Sequence, residues 1–351
     1  MNVILPVAGK SSRFPNVRPK WLLTNPSGNL MIVDSILGME IEDLTSLNII
    51  YIKEHEDIFS FKHGLSHNLK KYGLDKKINF IELNQQTNNQ VETVRLGLEK
   101  IQSDISFIIK DSDNNFKLNT KSLENNFVSY CKLLNLKSSD VASKSYLELD
   151  EMGIINNIVE KKIISDKFCC GGYYFKSSKE FLEYSNIDSS NVFVSDVVFN
   201  MLLNGKKFIG VECSNYEDWG TINEWKNYKD TFKTLFVDID GVLFENCSAF
   251  VKPYIGETKP ITNNVEYLKN LISTKRVDVI LTTSRPEEYR NITVSQLKQI
   301  GLEYKHLIMG LSHSQRIIIN DFSNTNPYRS CDAINIERNS DNLETYLRGV
   351  L

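Results

Sequence analysis

Three acidic groups and one set of cations carry the chemistry legible in this chain. Asp238-Ile239-Asp240-Gly241 follows the apolar run 234–237. Carboxylates two residues apart on an extended segment work on the same side. One can attack phosphorus and the other act as general acid, while Mg²⁺ neutralises their repulsion and the phosphate's charge. Asp111-Ser112-Asp113 repeats this spacing after the apolar run 105–109. Magnesium suits it, since that ion takes one or two carboxylates and completes its shell with phosphate oxygens and water. An Asx-rich turn would account for the same residues without a metal. Asp218, in 217–221, is a candidate second ligand from far along the chain. Arg13 and Lys20 lie within and just after the turn 9–12, and two cations so close to such a turn suit a triphosphate.

The elements that must position these groups alternate. Residues 4–14 begin as an apolar run and break into the small-residue turn Gly9-Lys10-Ser11-Ser12. That pattern presents backbone N–H groups to phosphates at a strand's carboxyl end, and it makes Val7, Ala8, Gly9, Ser11 and Ser12 the expected phosphate loop. Residues 47–52 and 79–83 read as buried strands and 32–39 as helical. A polar loop at 85–94 opens a helix, 153–159 alternates like a strand, and 194–203 is helical. In 168–175, Gly171 and Gly172 permit close approach of another group. Strands alternating with helices predict a doubly wound, mostly parallel sheet with ligands at the strands' carboxyl ends. The run 234–237 starts a second unit of the same class, so two Rossmann-like α/β domains are expected, at 1–230 and 234–351. A length of 351 residues fits two domains.

Composition narrows the partners. With 41% apolar and 24% charged residues and a net charge of −3, nothing favours nucleic acid or an acidic membrane surface. No apolar run is long enough to span a bilayer, and the amino-terminal stretch does not resemble a signal peptide. Six cysteines without CxxC spacing and five scattered histidines argue against a zinc site; Cys169-Cys170 reads as strand packing. The expectation is a reduced, cytoplasmic protein.

Taken in order, the elements of residues 1–230 resemble the sugar-nucleotidyltransferase family. Gly9-Lys10-Ser11-Ser12-Arg13 and Pro19-Lys20 are similar to its G-x-G-x-R and P-K elements, with Ser11 in place of the second glycine. The resemblance implies that Arg13 holds the triphosphate and that Lys20 stabilises charge at the reacting phosphorus. It makes Gln90 and Thr93 part of the base-binding segment. Glu160-Lys161 resembles the pair that contacts the acceptor and its phosphate, with Gly172 beside the acceptor. It implies Mg²⁺ on Asp111 or Asp113 together with Asp218, whose Asp218-Trp219-Gly220-Thr221 resembles the D-x-G-T element. Residues 234–351 resemble the haloacid dehalogenase superfamily of phosphatases. This implies Asp238 as nucleophile, Asp240 as acid, Thr282 or Thr283 on the phosphoryl group, and Asp321 completing a Mg²⁺ site with Asp238 and Asp240. Lys305 and Arg316 are the candidates for its lysine, and 245–272 leaves room only for a minimal cap.

Together these likenesses imply a bifunctional enzyme of surface-polysaccharide precursor synthesis. It would join a nucleoside triphosphate, with CTP preferred, to a sugar phosphate or similar small phosphate, and would hydrolyse a phosphomonoester. The alternative makes the second domain a non-catalytic interaction or oligomerisation module. Association into a homo-oligomer is left open.

Overall fold

Val3, Ile4 and Leu5 are fully buried, as a strand covered on both faces requires. Val3, Leu5 and Val7 enter one core while Ile4 enters the other, which is the two-residue alternation of a strand. The computed structural model describes every residue except 10–12, 15–16, 41–43, 120–124, 137–140, 189–190, 321–330 and 349. Two units are distinguished, Met1–Lys229 and Asp230–Leu351.

The first unit contains strands β1 (Asn2–Pro6), β2 (Met39–Glu40), β3 (Ser46–Ile52), β4 (Ile78–Leu83), β5 (Phe107–Lys110), β6 (Asn114–Asn119), β7 (Asn126–Lys132), β8 (Tyr146–Leu149), β9 (Ile155–Val159), β10 (Lys167–Phe175), β11 (Phe208–Glu212) and β12 (Ser214–Asp218). Its helices are α1 (Met31–Leu37), α2 (Lys53–Phe59), α3 (Phe61–Lys70), α4 (Gln90–Ile101), α5 (Ser178–Tyr184), α6 (Val194–Leu203) and α7 (Ile222–Asp230). The main sheet has the order β11-β7-β10-β5-β1-β3-β4, with β8 and β9 attached through β10. Strands β5, β1, β3 and β4 are parallel to one another and β11 is parallel to β7; β10, between β5 and β7, runs against both. The architecture is mixed α/β with a mostly parallel sheet.

Helix α4 shows why such an element forms where it does. The Asn89 side chain accepts the Glu92 amide at its start, Gln102 ends it in the left-handed region, and Val91, Val94 and Leu98 line its buried face. Each such side chain removed from water contributes about 1.5–3 kcal/mol, as an upper bound.

A small sheet of order β12-β6-β2 lies apart from the main one. Asp218 therefore ends a strand, opposite Asn114, where the sequence suggests a turn. The cysteines also depart from expectation. The thiol sulfurs of Cys131, Cys170 and Cys213 lie within 4.8 Å of one another, because neighbouring strands β7 and β10 and the residue after β11 carry them.

The second unit has a parallel sheet β13 (Lys233–Asp238), β14 (Val277–Thr282) and β15 (His306–Ile308), in that order. Helices α8 (Thr262–Ser273), α9 (Arg290–Ile300) and α10 (Leu343–Leu347) accompany it. Val237, Ile239, Val265, Leu268, Val279, Leu281, Leu297 and Leu343 make its core. Residues 245–261 form no helix. Ile317, Ile318 and Ile319 are exposed and outside any strand, although they lead into the expected acidic motif. Asp321, Ser11 and Ser12 lie outside the described residues.

Candidate functional site

In the first unit, side chains placed by buried aromatic neighbours meet at Gly220. Phe14 and Trp219 share a small core with Leu23 and Met31, which fixes the adjacent Arg13 and Asp218. Trp21 packs edge-on against Phe61 at 4.7 Å and fixes Lys20. The Trp219 amide donates to the Asp113 carbonyl at 2.8 Å, joining the start of β6 to the end of β12. A Cβ added to Gly220 would stand 3.1 Å from Asp218 Oδ1, 3.4 Å from Arg13 Nη1 and 3.5 Å from Asp113 Oδ2.

Asp113 pairs with Lys20 and, at 3.6 Å, with Arg13. Burial opposes its ionisation, but Lys20 and then Arg13 hold its carboxyl well below the usual range. Asp111 faces elsewhere. Its Oδ1 accepts from Gln90 Nε2 at 2.6 Å, and a Cβ on Gly171 would come within 2.2 Å of its Oδ2. Burial, with Asp113 adding to it, raises the Asp111 pKa. Asp218 binds Lys144 and accepts the Gly220 amide at 2.9 Å. Burial raises its pKa and Lys144 offsets only part of that. Lys144 itself stays charged: burial works against it, but the Asp218 carboxylate prevails and raises its pKa.

Asp113 and Asp218 fit a divalent cation. Both point to the space left by a glycine, both are acceptor-only oxygens, and Lys20 and Lys144 already stand beside them as positive charges. Among the described residues no third carboxylate joins them closely, consistent with an ion that keeps water and phosphate in its shell. Lys144 was invisible in the sequence, where it sits in a polar stretch with no motif. Lys110 was missed too. It is fully buried and donates to the Asp111 and Asn114 carbonyls and to Asn114 Oδ1, which shapes the Asp111–Asn114 turn.

The other expected residues fall into place unevenly. Gly9 is exposed with open space at its Cα, as a phosphate loop needs. Val7 and Ala8 are core residues, and the Val7 amide is spent on the Ile50 carbonyl at 2.8 Å; that strand bond removes it from the phosphate-facing set. Thr93 is buried, its hydroxyl 2.6 Å from that of Thr87 and 3.2 Å from the Asn89 carbonyl, so it braces the loop. Gln90 is engaged with Asp111. Glu160 accepts from Ser145 and Ser195, and the Lys161 ammonium lies 4.4 Å above the Phe193 ring. The Lys161 amide donates to the Lys144 carbonyl at 3.0 Å, which brings this pair towards Asp218. At Gly172 the missing Cβ accommodates Ser129 Oγ, 2.6 Å from where it would lie, and Gly171 is the glycine that meets Asp111.

In the second unit, Asp238 ends β13 and is half-buried, with Arg316 Nη1 3.3 Å from its Oδ1. Burial raises its pKa, and Arg316 offsets only part of the shift. Lys305 pairs with Asp278 instead. Asp240, the expected acid and metal ligand, is paired with the fully buried Arg285. Nε donates to Oδ2 at 2.9 Å and Nη2 to Oδ1 at 2.7 Å. Thr283 also donates to Asp240, at 3.3 Å, and accepts the Arg285 amide. The Thr282 hydroxyl turns to the Val237 carbonyl at 3.4 Å. Both threonine hydroxyls are thus engaged at the strand ends. Arg285 stands beside Pro286 in a stretch the sequence marks only for its threonines.

The first unit is of the Rossmann-like α/β class. Its fold is similar to that of solved nucleotide-sugar pyrophosphorylases, which match the amino-terminal part of the chain. The nucleoside-diphosphate-sugar pyrophosphorylase of Vibrio cholerae RC9 is 17% identical over 64% of this chain and 98% of its own, with a TM-score of 0.53. A UDP-glucose pyrophosphorylase complexed with UDP-glucose is 12% identical over 65% and 97%, at 0.52. The inositol-1-phosphate CTP transferase of T. maritima is 13% identical over 64% and 90%, at 0.50. No protein-family model and no curated protein matches the chain.

Proposed function

We propose that the first unit is a nucleotidyltransferase that joins a nucleoside triphosphate to a sugar phosphate or similar small phosphate and releases pyrophosphate. The observation that carries this is the convergence of Arg13, Lys20, Asp113 and Asp218 on Gly220. The acceptor's phosphate oxygen attacks the α-phosphorus in line, and since both partners are anionic, catalysis is alignment and charge neutralisation. Asp113 and Asp218 would hold Mg²⁺, which supplies positive charge to the phosphates. Arg13 and Lys20 turn from Asp113 to the triphosphate, and Lys161 meets the acceptor. The fold neighbours' names support the class, and the CTP transferase among them agrees with a preference for CTP. The place in surface-polysaccharide precursor synthesis rests on the sequence resemblance.

For the second unit the proposal is a phosphomonoesterase with Asp238 as nucleophile, a role supported by its position at a parallel strand's carboxyl end beside Arg316. The Asp240–Arg285 pair favours the other reading, a non-catalytic module, because it engages the expected acid. The deciding experiment measures pyrophosphate release with Mg²⁺ and each of the four nucleoside triphosphates against a panel of sugar phosphates, alongside phosphate release from phosphomonoesters. Asp113→Asn and Asp218→Asn each lower pyrophosphate release by roughly 10²-fold or more; Asp238→Asn leaves it intact and abolishes phosphate release. Full pyrophosphate release in both unit-one variants would remove Asp113 and Asp218 from the mechanism, and no release with any of the four nucleoside triphosphates would sink the transferase proposal. Phosphate release that is absent, or that survives Asp238→Asn, would leave the module reading.

A further inference from the structure

Three cysteines far apart in sequence meet in the first unit's core. Cys131 is on β7, Cys170 on β10, and Cys213 lies between β11 and β12; all are buried. Their sulfurs fall within 4.8 Å of one another. At metal–sulfur distances of about 2.3 Å, three thiolates around one ion stand about 4 Å apart, so a contraction of under about 1 Å closes the set. Cys131 Sγ donates to the Cys213 carbonyl at 3.0 Å and Cys213 Sγ to the Tyr130 carbonyl at 3.2 Å. The fourth buried cysteine, Cys169, lies in the opposite core.

Charge selects the ion. Three thiolates about a divalent cation leave one negative charge, and the fully buried Lys110 supplies one positive charge. Its hydrogen bonds all go to uncharged oxygens; among acidic groups Asp111 and Asp113 act on it most strongly, and Cys170 and Cys213 after them. Thiolate sulfur favours thiophilic ions over Mg²⁺. We propose that Cys131, Cys170 and Cys213 form a buried three-thiolate site for a divalent thiophilic cation such as Zn²⁺, separate from the carboxylate pair at Gly220. Its role is structural. Cys170 precedes the glycine that meets Asp111, and Cys213 directly precedes the strand that ends in Asp218, so the ion ties together β7, β10 and the junction of β11 and β12. Binding displaces the thiol protons and is tighter at higher pH.

The test titrates the reduced full-length chain with Cd²⁺, natively and after refolding from urea with Cd²⁺ present, following the ultraviolet thiolate-to-cadmium band. One equivalent per chain is expected, competed only by a large excess of Zn²⁺ and unaffected by Mg²⁺. Cys131→Ser, Cys170→Ser and Cys213→Ser each lower Cd²⁺ affinity by at least tenfold, whereas Cys169→Ala and Cys331→Ser leave it unchanged. X-ray absorption of the wild-type Cd²⁺ form should count three sulfurs, a readout that does not depend on the variants folding. Absence of the band after refolding, a count below three, or the same band in the Cys131/Cys170/Cys213 triple variant would each overturn the proposal.

Discussion

Replacing Arg285 separates a structural from a catalytic role for Asp240. The guanidinium is 1% exposed and the Asp240 side chain 17%. Besides its three hydrogen bonds to Asp240, Arg285 donates Nη1 to Gln296 Oε1 at 2.7 Å and to Thr293 Oγ1 at 3.1 Å. Arg285→Ala therefore leaves the Asp240 carboxylate without its cation, with only Thr283 and Cys247 still donating to it, and leaves the Gln296 amide oxygen and the Thr293 hydroxyl without this donor around a new cavity. Removing one partner of a buried pair costs about 3–5 kcal/mol. Asp240→Asn strands the guanidinium and should cost somewhat less, since an amide oxygen still accepts. Asp238→Asn is the control: its site is half-exposed, and less than about 1 kcal/mol is expected. Trp21, Trp219 and Trp225 are all in the first unit, so tryptophan fluorescence is blind to the second and far-UV circular dichroism sees both. With a urea m-value of roughly 1.5–2 kcal/mol/M for a unit this size, Arg285→Ala moves the dichroism midpoint of the second unit down by about 2–3 M. The fluorescence transition should stay where it was. In an Asp240→Asn, Arg285→Met double variant the losses should be less than additive. A midpoint shift below about 0.5 M for Arg285→Ala would refute the argument that this pair holds the unit together.

Lys144→Met removes the cation beside Asp218, whose pKa burial already raises. Asp218 then rises further and protonates more readily, so pyrophosphate release should fall more steeply as the pH is lowered than it does in the parent protein; a pH-independent loss would argue against the pairing. Gly171→Ala puts a Cβ 2.2 Å from Asp111 Oδ2 at a residue with φ of +81°. A loss of roughly 1–3 kcal/mol in thermal or urea unfolding is expected, and an unchanged midpoint would show that β10 can relax there.

Local patterns decide themselves where one stretch of chain carries the whole signal. The buried runs of β1, β3 and β5, the capped start of α4, the strand ending in Asp238 and the spacing of Asp111 and Asp113 belong to this kind, because burial and capping depend on neighbours a few residues away. Val3, Ile4 and Leu5 announce a strand covered on both faces before any fold is known. Tertiary structure decided the pairings. Asp113 rather than Asp111 faces Arg13 and Lys20 because the Asp113 carbonyl is tied to Trp219, a partner 106 residues along. Lys144 reaches Asp218, Arg285 takes Asp240, and three cysteines gather from β7, β10 and the start of β12, all through strand neighbours distant in sequence. A motif names the group that can do chemistry; the charges that tune it come across the sheet, and no local pattern records them.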